Sequence, residues 1–136
     1  MGFPWPSGGG VNNLHSYIWR ALGTIPVASG TPARVDGTSF LYTLPMIQPG
    51  SIVGLALAVH TAAVGDIQAQ VTVNGGLGTL LALMVNPTGA PPPLVVTQGT
   101  GIDTFVQGDE IGVDIWTPSG ISPTAVTNQV SLLLQI

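Results

Sequence analysis

From about Thr38 to the C-terminus the apolar residues recur with a period of two, and no other feature of the chain restricts its fold as much. In "IQAQVTVN", Ile67, Ala69, Val71 and Val73 fall on one side and Gln68, Gln70, Thr72 and Asn74 on the other, the pattern of a half-buried strand. "EIGVDIW" repeats it, with Ile111, Val113 and Ile115 predicted inward and Glu110, Gly112, Asp114 and Trp116 outward. The last run, "VTNQVSLLLQI", sets Val126, Val130, Leu132, Leu134 and Ile136 on one face. "SIVGLALAV" and "LGTLLALMV" are apolar on both faces, which predicts strands that are central or covered on their second side by other chain.

Turn residues separate these runs: "QPG" at 48–50, "AVGD" at 63–66, "NGG" at 74–76, "NPTGAPPP" at 86–93, "QGTG" at 98–101, "QGD" at 107–109 and "TPSGISP" at 117–123. Asn74-Gly75 between two strands is a hairpin signal, because both residues tolerate positive φ. A parallel sheet needs crossover helices, and the sequence has no room for them. The expected fold is therefore all-β, an antiparallel β-sandwich or jelly roll of about six to eight strands over residues 38–136.

Residues 1–37 follow another pattern and are expected to form an extended N-terminal arm. In "LHSYIWRAL", Leu14, Ile18, Ala21 and Leu22 recur at helical spacing, Asn13 suits the N-cap and Gly23 the C′ position. This predicts a short helix at about 14–22, flanked by the proline-punctuated stretches "FPWPSGGG" and "TIPVASGTPARVDG".

Charge narrows the function. Only 6% of residues are charged, against roughly 25% in an average soluble domain. Lysine is missing, and Arg20 and Arg34 both lie within the first quarter. Phosphate neutralisation needs clustered Lys or Arg, so a nucleic-acid partner is not expected, nor is an anionic membrane surface. Zero cysteines remove disulfide, zinc-thiolate and thiol chemistry. "IVGLALAV" is far short of the ~20 residues that span a bilayer, and the first 30 residues carry neither a basic n-region nor an apolar h-region, so no Sec export is expected. A chain that is 45% hydrophobic with so few charges points to assembly, since its free surface would tend to associate.

Catalytic signals are weak. Glu110 and Asp114 share a strand face at about 13 Å by strand rise, too far for direct paired-carboxylate chemistry. Asp109 sits in a turn, where aspartate bonds neighbouring backbone amides. His15 and His60 have no companion at ligand spacing, although Asp66 or Asp103 could add oxygen if remote positions converge. Ser39 and Ser51 lack the glycines of a nucleophile elbow, and neither "GGG" nor "NGGLG" continues into a phosphate loop. No catalytic residue, metal or cofactor is expected, and the chain is not expected to be an enzyme. "APPP" is expected to be a stiff loop rather than a polyproline ligand. Trp116 is a candidate oligomer contact or sugar-stacking ring.

From Gln48 onward, "PGSIVGLALAVHTAAVGDIQAQVTVNG" and "GTGIDTFVQGDEIGVDIWTPSGISPTAVTNQVSLLLQI" resemble the β-sandwich domains of tailed-phage virion proteins, above all trimeric capsid decoration (cement) and head-fibre proteins. The shared features are a strand opening at Pro49-Gly50, a hairpin ending at Asn74-Gly75, "DTFVQGDEIGV", and a proline turn before a last alternating strand. The resemblance covers about two-thirds of the chain. It implies a homotrimer on the outer surface of a phage head, bound to the major capsid protein and stabilising the shell. On that reading the arm is a tether, with Phe3, Pro4, Trp5, Tyr17, Ile18, Trp19 and Arg20 as its partner-binding residues. The alternative is a receptor- or glycan-binding module of a tail or fibre.

Overall fold

The computed structural model describes residues 14–21, 33–34, 43–90, 92–118, 120–123 and 126–136, and for the first two segments the backbone alone. The tip residues Phe3, Pro4 and Trp5 lie outside the described residues, as does most of the segment expected to be an arm. What is described is all-β, and every strand pair is antiparallel.

One sheet is built around β4 (Gly50–Val59), which pairs along one side with β11 (Asn128–Gln135). Along its other side run β7 (Leu94–Thr97) and, farther on, β8 (Asp103–Phe105). β1 (Leu14–Ala21) closes the far side of β11, in register from Leu14↔Gln135 to Ala21↔Asn128. The second sheet is built around β5 (Val64–Val73), between β6 (Gly76–Val85) and β9 (Glu110–Trp116). β3 (Leu44–Pro45) and β2 (Ala33–Arg34) pair successive parts of β9, and β10 (Ile121–Ser122) pairs the start of β5.

Residues 14–21 correct the helix expected there. A nine-residue helix is marginal on its own. Tyr17, Ile18 and Trp19 favour strands, and β11 offers an otherwise unpaired edge whose amides and carbonyls need partners. Pairing along eight positions satisfies both segments.

The two sheets share one core. Ile52, Leu55, Leu57 and Val59 of β4 and Val130, Leu132 and Leu134 of β11 meet Ile67, Ala69 and Val71 of β5 and Ile111, Val113 and Ile115 of β9. These are the inward positions that the period of two marks in the sequence. Each fully buried Leu, Ile or Val is worth roughly 1.5–3 kcal/mol relative to exposure. Phe105, from β8, closes one end of the core.

The β5–β6 connection is the predicted two-residue hairpin. Val73 pairs with Gly76, and Asn74 (φ 52°) and Gly75 (φ 80°) are both left-handed, the backbone that matches strand twist.

Candidate functional site

β6 is the strand where the fold leaves most undone. It pairs with β5 on one side, and among the described residues nothing pairs with its other side. Leu80, Ala82 and Met84 enter the core. Leu77, Leu81, Leu83 and Val85 alternate with them on the outer face and are 49, 41, 42 and 59% exposed. Natural edges are usually protected by Lys, Pro or other charge, and "GLGTLLALMV" contains none. The row is flanked across the ladder by Gln70 beside Leu81, Gln68 beside Leu83 and Asp66 beside Val85.

The start of β6 is held by a carboxylate from the opposite sheet. Between the pairs Gln70↔Leu81 and Thr72↔Leu77, β5 has one residue and β6 has three, so Gly78, Thr79 and Leu80 bulge out of the ladder. Their amides would lack partners, and Asp103 of β8 supplies them. The Thr79 amide donates to Asp103 Oδ1 at 2.8 Å and the Leu80 amide to Oδ2 at 3.0 Å. Gln98 Nε2 donates to the same Oδ2 at 2.6 Å and to the Ile52 carbonyl at 2.8 Å, while Gln70 Nε2 donates to the Gly78 carbonyl at 2.6 Å.

Gly78 is required by this approach, because a Cβ there would stand 2.7 Å from Asp103 Oδ1 and 2.8 Å from Val71 Cγ2. Burial pushes the Asp103 carboxyl up, but the hydrogen bonds from Gln98, Thr79 and Leu80 together outweigh it and hold the group below its ordinary value. Asp103 is thus a structural pin between the sheets.

A second polar cluster closes the end of the molecule at the hairpin. Asn74 Nδ2 donates to Asp109 Oδ1 at 2.9 Å, and the Glu110 amide donates to Asn74 Oδ1 at 2.9 Å. The Val106 amide donates to Asp109 Oδ2 at 2.8 Å, the turn-bonding role expected for this aspartate. The Asn74 side chain and then the Val106 amide hold the Asp109 carboxyl below its ordinary value. Thr43 Oγ1 donates to Glu110 Oε2 at 3.1 Å. Each of these groups is occupied in shaping a turn.

Around the corner from the outer row, where β6 ends and β7 begins, lies a groove of about 390 Å³. Met84, Pro87, Thr88, Pro92, Pro93 and Leu94 line it, and Leu83 and Val85 form its rim. None of these side chains is charged. The prolines come from the stretch read in sequence as a stiff loop.

The residues singled out in sequence fall in different places. Tyr17, Ile18, Trp19 and Arg20 lie in β1, opposite Leu132, Ser131, Val130 and Gln129 of β11. Trp116 ends β9 opposite Gln68 and is only 8% exposed, so its ring is not open to stack on a sugar. Thr72 and Asp114, on the same outer side of the second sheet, are buried as well. His60 is exposed, and its amide donates to the Thr127 carbonyl. Among the described residues no three His, Asp or Glu side chains gather where they could hold a metal ion.

The β6 row was legible only as one half of an apolar run. The Asp103 pin was not predicted; its signal is the "GLG" that interrupts alternation at the start of that run. The chain matches no family model and no curated protein.

Proposed function

We propose that this protein is a structural virion component, a capsid decoration (cement) protein that binds the outer surface of a tailed-phage head as a homotrimer and stabilises it. The observation that carries the reading is the outer row of β6: four large aliphatic side chains, uncharged and open, on an edge strand with nothing to blunt it. An exposed apolar row of this kind is a contact surface.

The strand order supports the architecture this role calls for. With β2 and β3 as two pieces of one strand along β9, and β7 and β8 as two pieces along β4, eight strands divide into the orders 1-8-3-6 and 2-7-4-5. That is a β-sandwich of jelly-roll order, a fold used by viral capsid and lectin domains among others. The resemblance from Gln48 onward selects the virion role among these. In this reading self-association uses β6, and capsid contact uses the residues ahead of β1, with Phe3, Pro4 and Trp5 as anchors whose prolines limit the entropy lost on docking.

The test has two parts. Light scattering of the purified chain is expected to give a multiple of the subunit mass, and undecorated phage heads are expected to take the chain up at saturable sites. Deleting residues 1–13, which leaves β1 in place, is expected to lower occupancy on heads without changing the solution mass. A monomer at every concentration, or equal occupancy without residues 1–13, would overturn the reading.

A further inference from the structure

β6 stands at a corner of the domain, and the two surfaces that meet there are both apolar and uncharged. One is the outer row of Leu77, Leu81, Leu83 and Val85 on the face of the second sheet. The other is the groove around the edge, floored by Met84 and Leu94 and walled by Pro87, Pro92 and Pro93. We infer that these two surfaces are each other's partners in different copies: the β6 row of one chain seats in the edge groove of the next. This rests on the self-assembly reading above and specifies its contact.

Three features on the molecule select a second copy as the occupant. The first is size. A hollow of 150 Å³ already accepts a benzene-sized group, so a groove of about 390 Å³ has room for two aliphatic side chains. Leu81 and Leu83 stand two residues apart on one face, about 6.8 Å by strand rise, and enter as neighbours. The second is charge. Neither surface carries an ionic group, and the side chains flanking the row toward β5 are the amides of Gln68 and Gln70, which suit a polar rim. The row exposes on the order of 300–400 Å² of apolar surface, the size of a functional patch and a little under half of the ~800 Å² each partner gives to a standard interface.

The third feature is closure. Row and groove are different surfaces, so the contact is head-to-tail, and a head-to-tail contact forms a ring when its rotation closes and a filament when it does not. Surfaces on opposite faces of a sandwich would stack without end. A face and the edge beside it turn each copy relative to the last, which closes a small ring with the β6 strands gathered at its centre. A two-fold contact of β6 with itself would set knob against knob and leave the groove open to water.

The two kinds of contact separate in a mixing experiment. Leu81→Glu spoils the row and leaves the groove, while Pro93→Glu spoils the groove and leaves the row. Both side chains are exposed, so both variants are expected to keep the far-UV spectrum and the melting midpoint of the monomer. Each alone is expected to run as a monomer by light scattering. An equimolar mixture is expected to run at twice the subunit mass, because a single good contact joins the intact row of one variant to the intact groove of the other and no ring can close.

If Pro93→Glu alone assembles like the parent and the mixture gains nothing, the contact is two-fold and the inference falls. If both variants assemble like the parent, this contact is wrong although self-assembly stands. If the parent chain itself is monomeric, the assembly reading fails too. Should either glutamate variant fail to fold, Leu81→Gln and Pro93→Gln carry the same comparison through weakened rather than abolished assembly.

Discussion

β4 and β6 look alike in sequence and differ in the fold. Each is a ten-residue strand, Gly50–Val59 and Gly76–Val85, drawn from a run that is apolar on both faces. β4 has a partner along each side, and its second face carries Gly54, Ala56 and Ala58, small groups lying beside Leu133, Ser131 and Gln129 of β11. β6 has a partner along one side only, and its second face carries three leucines and a valine. A two-sided apolar run therefore has two physical meanings. Small residues on the second face suit a central strand whose neighbours stand close and which loses little to water. Large residues on the second face of an edge strand leave a hydrophobic term uncollected within the monomer.

The sharpest way to break this contrast is to truncate one leucine in each strand. Leu55 points inward from β4 and is 1% exposed, so Leu55→Ala removes buried methyl groups and leaves a cavity. The expected loss is about 2–5 kcal/mol in chemical denaturation. Leu81→Ala, on the outer face of β6, is expected to cost the monomer less than about 1 kcal/mol, because much of that side chain is already in water. Both are measured at a concentration where the parent chain is monomeric. Comparable losses would mean that the β6 row is covered within its own chain, and the contrast would disappear.

The next effect concerns how β6 is held at all. Asp103→Asn keeps the shape of the pin but replaces an acceptor with a donor where the Thr79 and Leu80 amides both need acceptors. The expected cost is about 1–3 kcal/mol near neutral pH. The effect also has a direction in pH. The folded carboxyl lies below its ordinary value of 3.8, so its contribution is complete above that value and is lost as pH falls through the lower folded one. The parent chain is therefore expected to lose stability on acidification below about pH 4, and Asp103→Asn to show a flatter acid limb. An unchanged limb in the variant would assign the acid sensitivity to another carboxylate, with Asp109, held low by Asn74 and Val106, the next to test.

The sequence made the core readable because each inward residue repeats one local rule. Ile67, Ala69 and Val71, then Ile111, Val113 and Ile115, and Val130, Leu132 and Leu134 are buried where alternation places them. The Asn74-Gly75 hairpin was readable for the same reason, since its backbone is set by two adjacent residues. What escaped was everything fixed by partners remote in sequence. "LHSYIWRA" carries both a helical spacing and strand-forming side chains, and the open edge of β11 decides between them. Asp103 looks like an ordinary loop acid until β8 brings it against a bulge 24 residues away. Trp116 alternates outward but is buried, so period alone did not give its exposure. The candidate site is a further case: period two marks Leu77, Leu81, Leu83 and Val85 as one face, but only topology makes β6 an edge.

The smallest expected effect tests whether the outer row contributes to the monomer or only to contact between copies. Val85 is the most exposed member of the row, opposite Asp66 at the end of β6. Threonine has nearly the same shape, is β-branched, and is equally at home in a strand. Val85→Thr thus keeps backbone preference and packing and exchanges one methyl for a hydroxyl that water can solvate. Monomer stability is expected to move by no more than about 0.5 kcal/mol, as for other exposed substitutions. Self-association should weaken, because the hydroxyl must shed its water when the row is covered and finds only proline and aliphatic carbon in the groove. A concentration series by light scattering reads the second quantity and a melting curve the first. If the melting midpoint falls while association is unchanged, Val85 belongs to the fold of its own chain. If association weakens at constant midpoint, the row has no function in the monomer, and β6 is an edge kept apolar for its neighbour.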